Sequence, residues 1–191
     1  MLIWVVITLE PKKKGMKREA ILKAATDIIR SQGVEHLTLD AVAQEAGVSK
    51  GGLLYHFPNK EELIQGMVQG LTRTFISHFE KRVAEDQEED GKWSRAYVNA
   101  TYTGLEEGQD MDAALSASLF TNPKLLTELQ TEYGNWQKKI ENDGLDPVLS
   151  SIIRLAVDGL WFSEMFGLAA PDAELKKRII EELNVWTKEK K

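Results

Sequence analysis

Apolar residues return every three or four positions along most of this chain, which is the period of helices packed on one face. Strand-like alternation is confined to the first few residues. From Lys17 to Ser31, the positions Ile21, Leu22, Ala25, Ile28 and Ile29 form one stripe, and Gly33 stands where a helix C-cap belongs. Thr38 can cap a second, short helix with inner face Val42, Ala43 and Ala46. Gly47 suits a tight exit from it, and Ser49 caps a third helix. Pro58 ends that one. Asn59, with Glu62 three residues on, reads as the capped start of a long helix in which Leu63, Ile64, Met67, Val68, Leu71, Phe75, Phe79 and Val83 keep period to Glu85. The acidic run "EDQEED" and Gly91 then mark a loop. Further helices are expected from Trp93 to Glu107, Met111 to Phe120, Pro123 to Asn142, Pro147 to Phe166 and Ala173 to Thr187, with Asn122 and Asp146 as caps ahead of prolines. The stretch "VLSSIIRLAVDGLWFSEMFGLAA" is apolar on most faces and therefore belongs in a large core or an oligomer interface.

Composition narrows the chemistry. With 191 residues and no cysteine, the chain can build a core without disulfides, has no thiolate site, and fits a reducing, cytoplasmic setting. The three histidines, His36, His56 and His78, lack the spacing of a metal site, and no cofactor is expected. The net charge of −6 is unevenly spread: residues 1–60 hold nine Lys/Arg against six Asp/Glu, and the remainder fifteen against twenty-four. An anionic partner would therefore meet the first third of the chain. The run Leu2 to Leu9 is too short to span a bilayer, and its lysines follow rather than precede it, so no membrane partner is expected. Residues 1–15 read either as a loose tail or as translated upstream sequence. In the second case "KKKG" would be the imprint of a purine-rich ribosome-binding site and Met16 the natural start.

The most specific stretch is "AGVSKGGLLYHFPNK", residues 46–60. Two short helices joined by "AGVS" make a helix-turn-helix, the unit that presents the start of its second helix to the DNA major groove. Two adjacent glycines in that helix cost about 1 kcal/mol each relative to alanine. They are accounted for if the backbone must approach DNA closely. Taken singly, Tyr55 and Phe57 read as core aromatics and His56 as a surface residue; it is the combined spacing that changes their meaning.

The core "LTLDAVAQEAGVSKGGLLYHFPNKEEL" resembles the TetR family of transcriptional repressors, whose pattern T-x-x-x-[IV]-A-x-x-A-G-V-S-x-G-x-[LIF]-Y-x-[HY]-F-x-[ST]-K-E-x-L it follows closely from Lys17 to Leu63. The resemblance implies an all-α protein with an N-terminal three-helix helix-turn-helix DNA-binding domain (residues 16–62). A long helix would join it to a C-terminal helical ligand-binding and dimerisation domain (63–191). It further implies that Thr38 and Ser49 touch phosphates, that Lys50, Gly51, Gly52 and Tyr55 face the groove, and that His56 and Lys60 reach the DNA backbone. Leu53 and Phe57 would anchor the helix. The sequence departs from the family habit at Gly52, where threonine is common, and at Leu54, where a first tyrosine is usual, so a phosphate-bonding hydroxyl is missing from the expected DNA-binding set at each position unless Tyr55 replaces one.

The same resemblance implies a homodimer that represses from a palindromic double-stranded operator and is released by a small lipophilic inducer. The helices near 148–166 and 173–187 are the expected dimer bundle, with Ile153, Val157, Leu160, Trp161, Ile180 and Leu183 as contacts. The aromatic residues Trp93, Tyr97, Tyr102, Tyr133, Trp136 and Phe162 are the expected pocket lining. Glu106, Asp110 and Glu132 nearby would favour a cationic or neutral inducer. Arg154, Asp158 and Glu164 are expected to pair with each other or across the dimer, Arg154 and Asp158 being four apart on one face, with a ligand role as the alternative. Gly66 and Gly70 either let the first helix pack closely on the long one or soften it as a lever, close packing being the expectation. An enzyme is not expected: no Gly-rich phosphate loop, nucleophile elbow or metal spacing is present. A helical interaction module that has lost DNA binding is the other rival, suggested by positions 52 and 54.

Overall fold

The computed structural model describes residues 10–107 and 122–188. Its elements are α1 (Glu10–Gln32), a short 3-10 turn (Val34–His36), α2 (Leu39–Glu45), α3 (Lys50–His56), α4 (Lys60–Glu85), α5 (Lys92–Glu107), α6 (Pro123–Glu141), α7 (Pro147–Phe166) and α8 (Ala173–Trp186). No strand occurs among the described residues. The expected helix from Met111 to Phe120, the residue Asp110 and the run Leu2 to Leu9 lie outside them. The first helix differs from expectation. The chain is already helical at Glu10, so Gly15 sits inside α1 and not ahead of it. A single exposed helical glycine costs about 1 kcal/mol, which the flanking lysines and glutamate, good helix formers, can offset.

The helix starts are set by side-chain caps. Thr38 Oγ1 accepts from Ala41 N at 3.1 Å, Ser49 Oγ from Gly52 N at 3.1 Å, and Asn59 Oδ1 from Glu62 N at 2.8 Å. Asn122 and Asp146 cap the two proline-led helices, and Asp172 Oδ1 accepts from Leu175 N at 2.8 Å. Each such cap contributes about 1 kcal/mol. Gly47 holds φ of 63°, the left-handed turn that lets α2 and α3 pack on each other.

The chain divides into two compact units that part between Gly70 and Leu71, inside α4. The first has its core in Ile21, Ala25 and Ile28 of α1, Leu37, Val42 and Ala43, Leu53 and Phe57, and Leu63 and Met67, all buried. Burying such side chains contributes about 1.5–3 kcal/mol each. Phe57 is gripped on two sides: the Arg18 guanidinium lies 5.0 Å from its ring centroid, and Gly66 leaves room for its edge. A Cβ on Gly66 would fall 2.6 Å from Phe57 Cε1, whereas one on Gly70 would meet nothing. Close packing therefore uses Gly66 and not Gly70.

The second unit is built round an aromatic core. Phe75 and Phe79 of α4 meet Tyr97 of α5 and Trp136 of α6 at ring-centroid distances of 5.1–6.2 Å. Ile153, Val157 and Leu160 of α7 and Ile180 and Leu183 of α8 complete it. Its polar lock is Arg95, which is buried. Nε pairs with Asp86 Oδ2 at 2.8 Å, and the two Nη atoms donate to the carbonyls of Asp90, Thr187 and Glu88. That hydrogen bond from Arg95 holds the Asp86 carboxyl below the usual aspartate range. Nearby, Asp143 Oδ2 accepts from both N and Oγ of Ser94.

Candidate nucleic-acid interface and effector core

The helix α3 is seven residues long, and each of its faces has a distinct role. Leu53 and Phe57, on one side, are buried and hold it to the core of the first unit. On the other side Gly51 is exposed, and a Cβ there would meet nothing; at Gly52 a Cβ would lie 3.2 Å from the capping Ser49 Oγ. Tyr55 is 69% exposed, and its ring meets that of His56 edge-on at 5.3 Å. Leu54, His56 and Lys60 are half-buried. Thr38 and Ser49 use their lone pairs as caps, which leaves each exposed hydroxyl its O–H to donate to a phosphate. The glycine pair thus gives a slim front, bordered by hydroxyl donors, one lysine and one phenol.

That lysine has a partner that periodicity could not reveal. Lys50 Nζ lies 2.9 Å from Asp40 Oδ1 and 3.1 Å from Oδ2, so the first side chain of α3 is tied to the first turn of α2. The two residues are ten apart and on different helices, outside any spacing rule for one helix. Both are well exposed.

In the second unit, Tyr97 and Trp136 are buried, and Trp93, Tyr102 and Tyr133 pack partly buried against the same cluster. Five of the six expected pocket residues are thus brought together. Phe162 is not among them: it is 45% exposed and its ring meets Phe166 on the outside of α7. Phe75 and Phe79 take the central place instead. Within this core runs a polar chain. Tyr97 OH donates to Asp158 Oδ1 at 2.5 Å, and Arg154 Nη1 donates to Asp158 Oδ2 at 2.6 Å, the pairing expected for the two residues. The guanidinium also lies 5.9 Å from the Tyr133 ring centroid. Burial pushes the Asp158 carboxyl up, against the opposing pull of Tyr97 and Arg154. Burial, with the nearby Asp158 charge, raises the Tyr133 phenol to about 12, and it drives Tyr97 well above the ordinary tyrosine range. Glu106 is exposed and faces Lys176 at 3.9 Å, so it lines no part of this core. Glu132 is half-buried.

The expected dimer contacts need correction. Ile153, Val157, Leu160, Ile180 and Leu183 are buried within the chain's own core and cannot also meet a partner; Trp161 is half-buried. The apolar side chains left outward on α7 are Val148, Ile152, Leu155 and Phe162, with Leu175 and Val185 on α8. A helix apolar on most faces gives no sequence signal as to which stripe turns inward. Among the described residues no helix is long and apolar enough to cross a membrane.

Residues 21–67 match the family described as "Bacterial regulatory proteins, tetR family", and residues 91–188 match "Tetracyclin repressor-like, C-terminal domain". A curated relative, the nucleoid occlusion factor SlmA of Vibrio vulnificus, is 30% identical over 77 residues, which are 40% of this chain and 39% of that protein. The alignment thus spans well under two thirds of that relative. A transcriptional regulator of Streptomyces coelicolor A3(2) has the same fold, with a TM-score of 0.61 and 23% identity, over 91% of this chain and 99% of the other. SmeT, solved as a complex with triclosan, superposes with a TM-score of 0.60 at 22% identity over 90% of each chain.

Proposed function

The chain belongs to the TetR family of bacterial regulatory proteins, and from that premise we propose that it is a cytoplasmic transcriptional repressor: a homodimer that holds a palindromic operator and lets go when a small lipophilic inducer binds. The observation that carries the reading is the build of α3. A helix whose front carries two glycines and whose back is fixed by Leu53 and Phe57 is stiff where it must be held and thin where DNA must come close. Thr38, Ser49, His56 and Lys60 would bind phosphate, and Lys50, Tyr55, Leu54 and the glycine backbone would meet the groove.

Pairing two such helices needs a second copy, and α7 offers the surface. Val148, Ile152, Leu155, Gly159 and Phe162 follow one another at spacings of four and three, all exposed, which is the seam of a helix that packs on another helix. The second unit supplies the inducer site in its aromatic core. An inducer acts by binding the non-operator form better, and about 1.4 kcal/mol of such preference lowers operator affinity tenfold. SmeT, of the same fold, has been solved with triclosan, a lipophilic compound, which supports a ligand of that kind here.

Selection from a random DNA pool tests the function. An enriched inverted repeat with half-sites about one helical turn apart is the expected result. Failure to enrich any repeat would count for the rival reading, a helical module without DNA binding.

A further inference from the structure

The polar atoms on the seam between α6 and α7 are unequally satisfied, and the inequality specifies a ligand. Each oxygen of Asp158 has a donor, Oδ1 accepting from Tyr97 and Oδ2 from Arg154, and neither is left without a partner. Arg154 is less fully met. Its Nη1 is used on Asp158, but its Nε–H is buried with no acceptor, although the side chain as a whole is only 17% exposed. The side-on edge of the guanidinium, Nε with Nη2, is the edge that takes a carboxylate in a two-pronged bond. Among the described residues nothing takes it.

A second unmet atom lies on the same seam. Gln137 Nε2 donates to Ser151 Oγ at 3.0 Å and to Glu141 Oε1 at 2.6 Å, while its Oε1 is buried without a donor. Ser151 and Arg154 are three apart on α7, and Tyr133 and Gln137 four apart on α6, so the two unmet atoms belong to adjoining faces. The ring of Tyr133 lies beneath the guanidinium and meets Trp136 at 5.0 Å. Native proteins rarely leave buried polar atoms unpaired without a reason. Here one calls for an acceptor and the other for a donor, next to aromatic faces.

We infer that this seam binds an aromatic carboxylate carrying a neighbouring hydroxyl or amide, with Arg154 gripping the acid side-on and Gln137 accepting from the neighbouring group. The inference rests on the effector reading above and reverses the cationic preference that Glu106, Asp110 and Glu132 suggest in the sequence. A cation at Asp158 would stand against the like charge of the Arg154 guanidinium, whose Nη1 already lies 2.6 Å from Oδ2.

The test uses the full chain without DNA, titrated with naphthoate, hydroxynaphthoate and naphthylmethylamine, and read by tryptophan fluorescence and thermal shift. Both acids should bind, hydroxynaphthoate more tightly, and the amine should not. Arg154→Gln should weaken the acids about tenfold or more, the loss of a charge-assisted two-pronged bond. Asp158→Asn should keep them, whereas a purely structural Arg154–Asp158 pair would make both variants fail together. Gln137→Leu should erase the preference for the hydroxy acid. An amine that binds as well as the acids, unchanged acid binding in Arg154→Gln, or no binding by either acid would overturn the inference. Acid binding that leaves operator affinity untouched would uphold the site and refute the inducer role.

Discussion

Two glycines one turn apart on α4 make a matched pair for measuring how firmly α3 is held. Gly66→Ala and Gly70→Ala each replace a helical glycine, so each should gain up to about 1 kcal/mol of helix propensity. They differ in surroundings. The new methyl at 70 enters open space, whereas the one at 66 falls 2.6 Å from Phe57 Cε1 and 3.2 Å from Arg18 Nη2. Phe57 is 2% exposed and closes the end of α3, so it has no easy retreat. Overpacking of this kind costs about 1–3 kcal/mol. Gly70→Ala should therefore stabilise the protein, and Gly66→Ala should lie about 1–3 kcal/mol below it, the propensity gain cancelling between the two. In a chain of this length that is a gap of roughly 2–12 °C in melting temperature, measurable by calorimetry. Operator affinity should fall further in Gly66→Ala than its stability alone explains, because a displaced Phe57 carries the whole of α3 with it. Equal stabilisation by the two alanines would refute the close-packing account of Gly66.

Gly51→Leu meets open space and should leave fold and thermal stability intact while lowering operator affinity at least about tenfold in a gel-shift titration; Gly52→Leu should add some crowding of the Ser49 cap. Asp40→Asn frees the Lys50 ammonium to meet the groove, so operator affinity should rise a few-fold, and the gain should shrink in a Lys50→Ala background. Arg95→Ala strips Asp86 and three carbonyls of their donor and should cost about 3–5 kcal/mol in denaturant unfolding. Because Asp86 titrates below its ordinary value, its contribution is present above that value and lost as pH falls through the lowered one, so the variant should lose part of the parent's acid-limb slope. Tyr97 and Tyr133 act in the opposite sense. Their raised phenols contribute stability that is whole below the ordinary tyrosine value and lost as pH climbs towards the raised ones, about 12 for Tyr133, so phenolate absorbance from these two should appear only with alkaline unfolding.

Much of the DNA-binding unit was legible because its signals are local. Caps at Thr38, Ser49 and Asn59, the left-handed Gly47 and the period of Leu53 and Phe57 all act within a few residues of themselves, and the structure bears out each of them. The Lys50–Asp40 pair and the Tyr97–Asp158 bond were not legible, since they join residues ten and sixty-one apart on different helices. The aromatic core was half-read for a related reason. Phe75 and Phe79 belong to α4, read as a connector, yet its second half is a wall of the second unit's core.

The misjudged dimer face has the same physical root, and it shows how one helix is divided among several tasks. At about 100° per residue, Ile153, Val157 and Leu160 share one side of α7 and fill the core, while Ile152, Leu155, Gly159 and Phe162 lie roughly opposite. Ser151, Arg154 and Asp158 fall between the two stripes. Hydrophobic periodicity cannot order two apolar stripes, because both satisfy it; the polar residues between them do so only once their partners are known. Arg154 and Asp158 turn towards Tyr133 and Tyr97, so the stripe on their core side is the inner one and the other faces outward. A ligand that engages Arg154 then pulls on the same rigid helix on which the proposed partner rests. In a rigid helix a shift of one face is a shift of the other, and the outer stripe would carry the effector's signal to the spacing of the paired recognition helices.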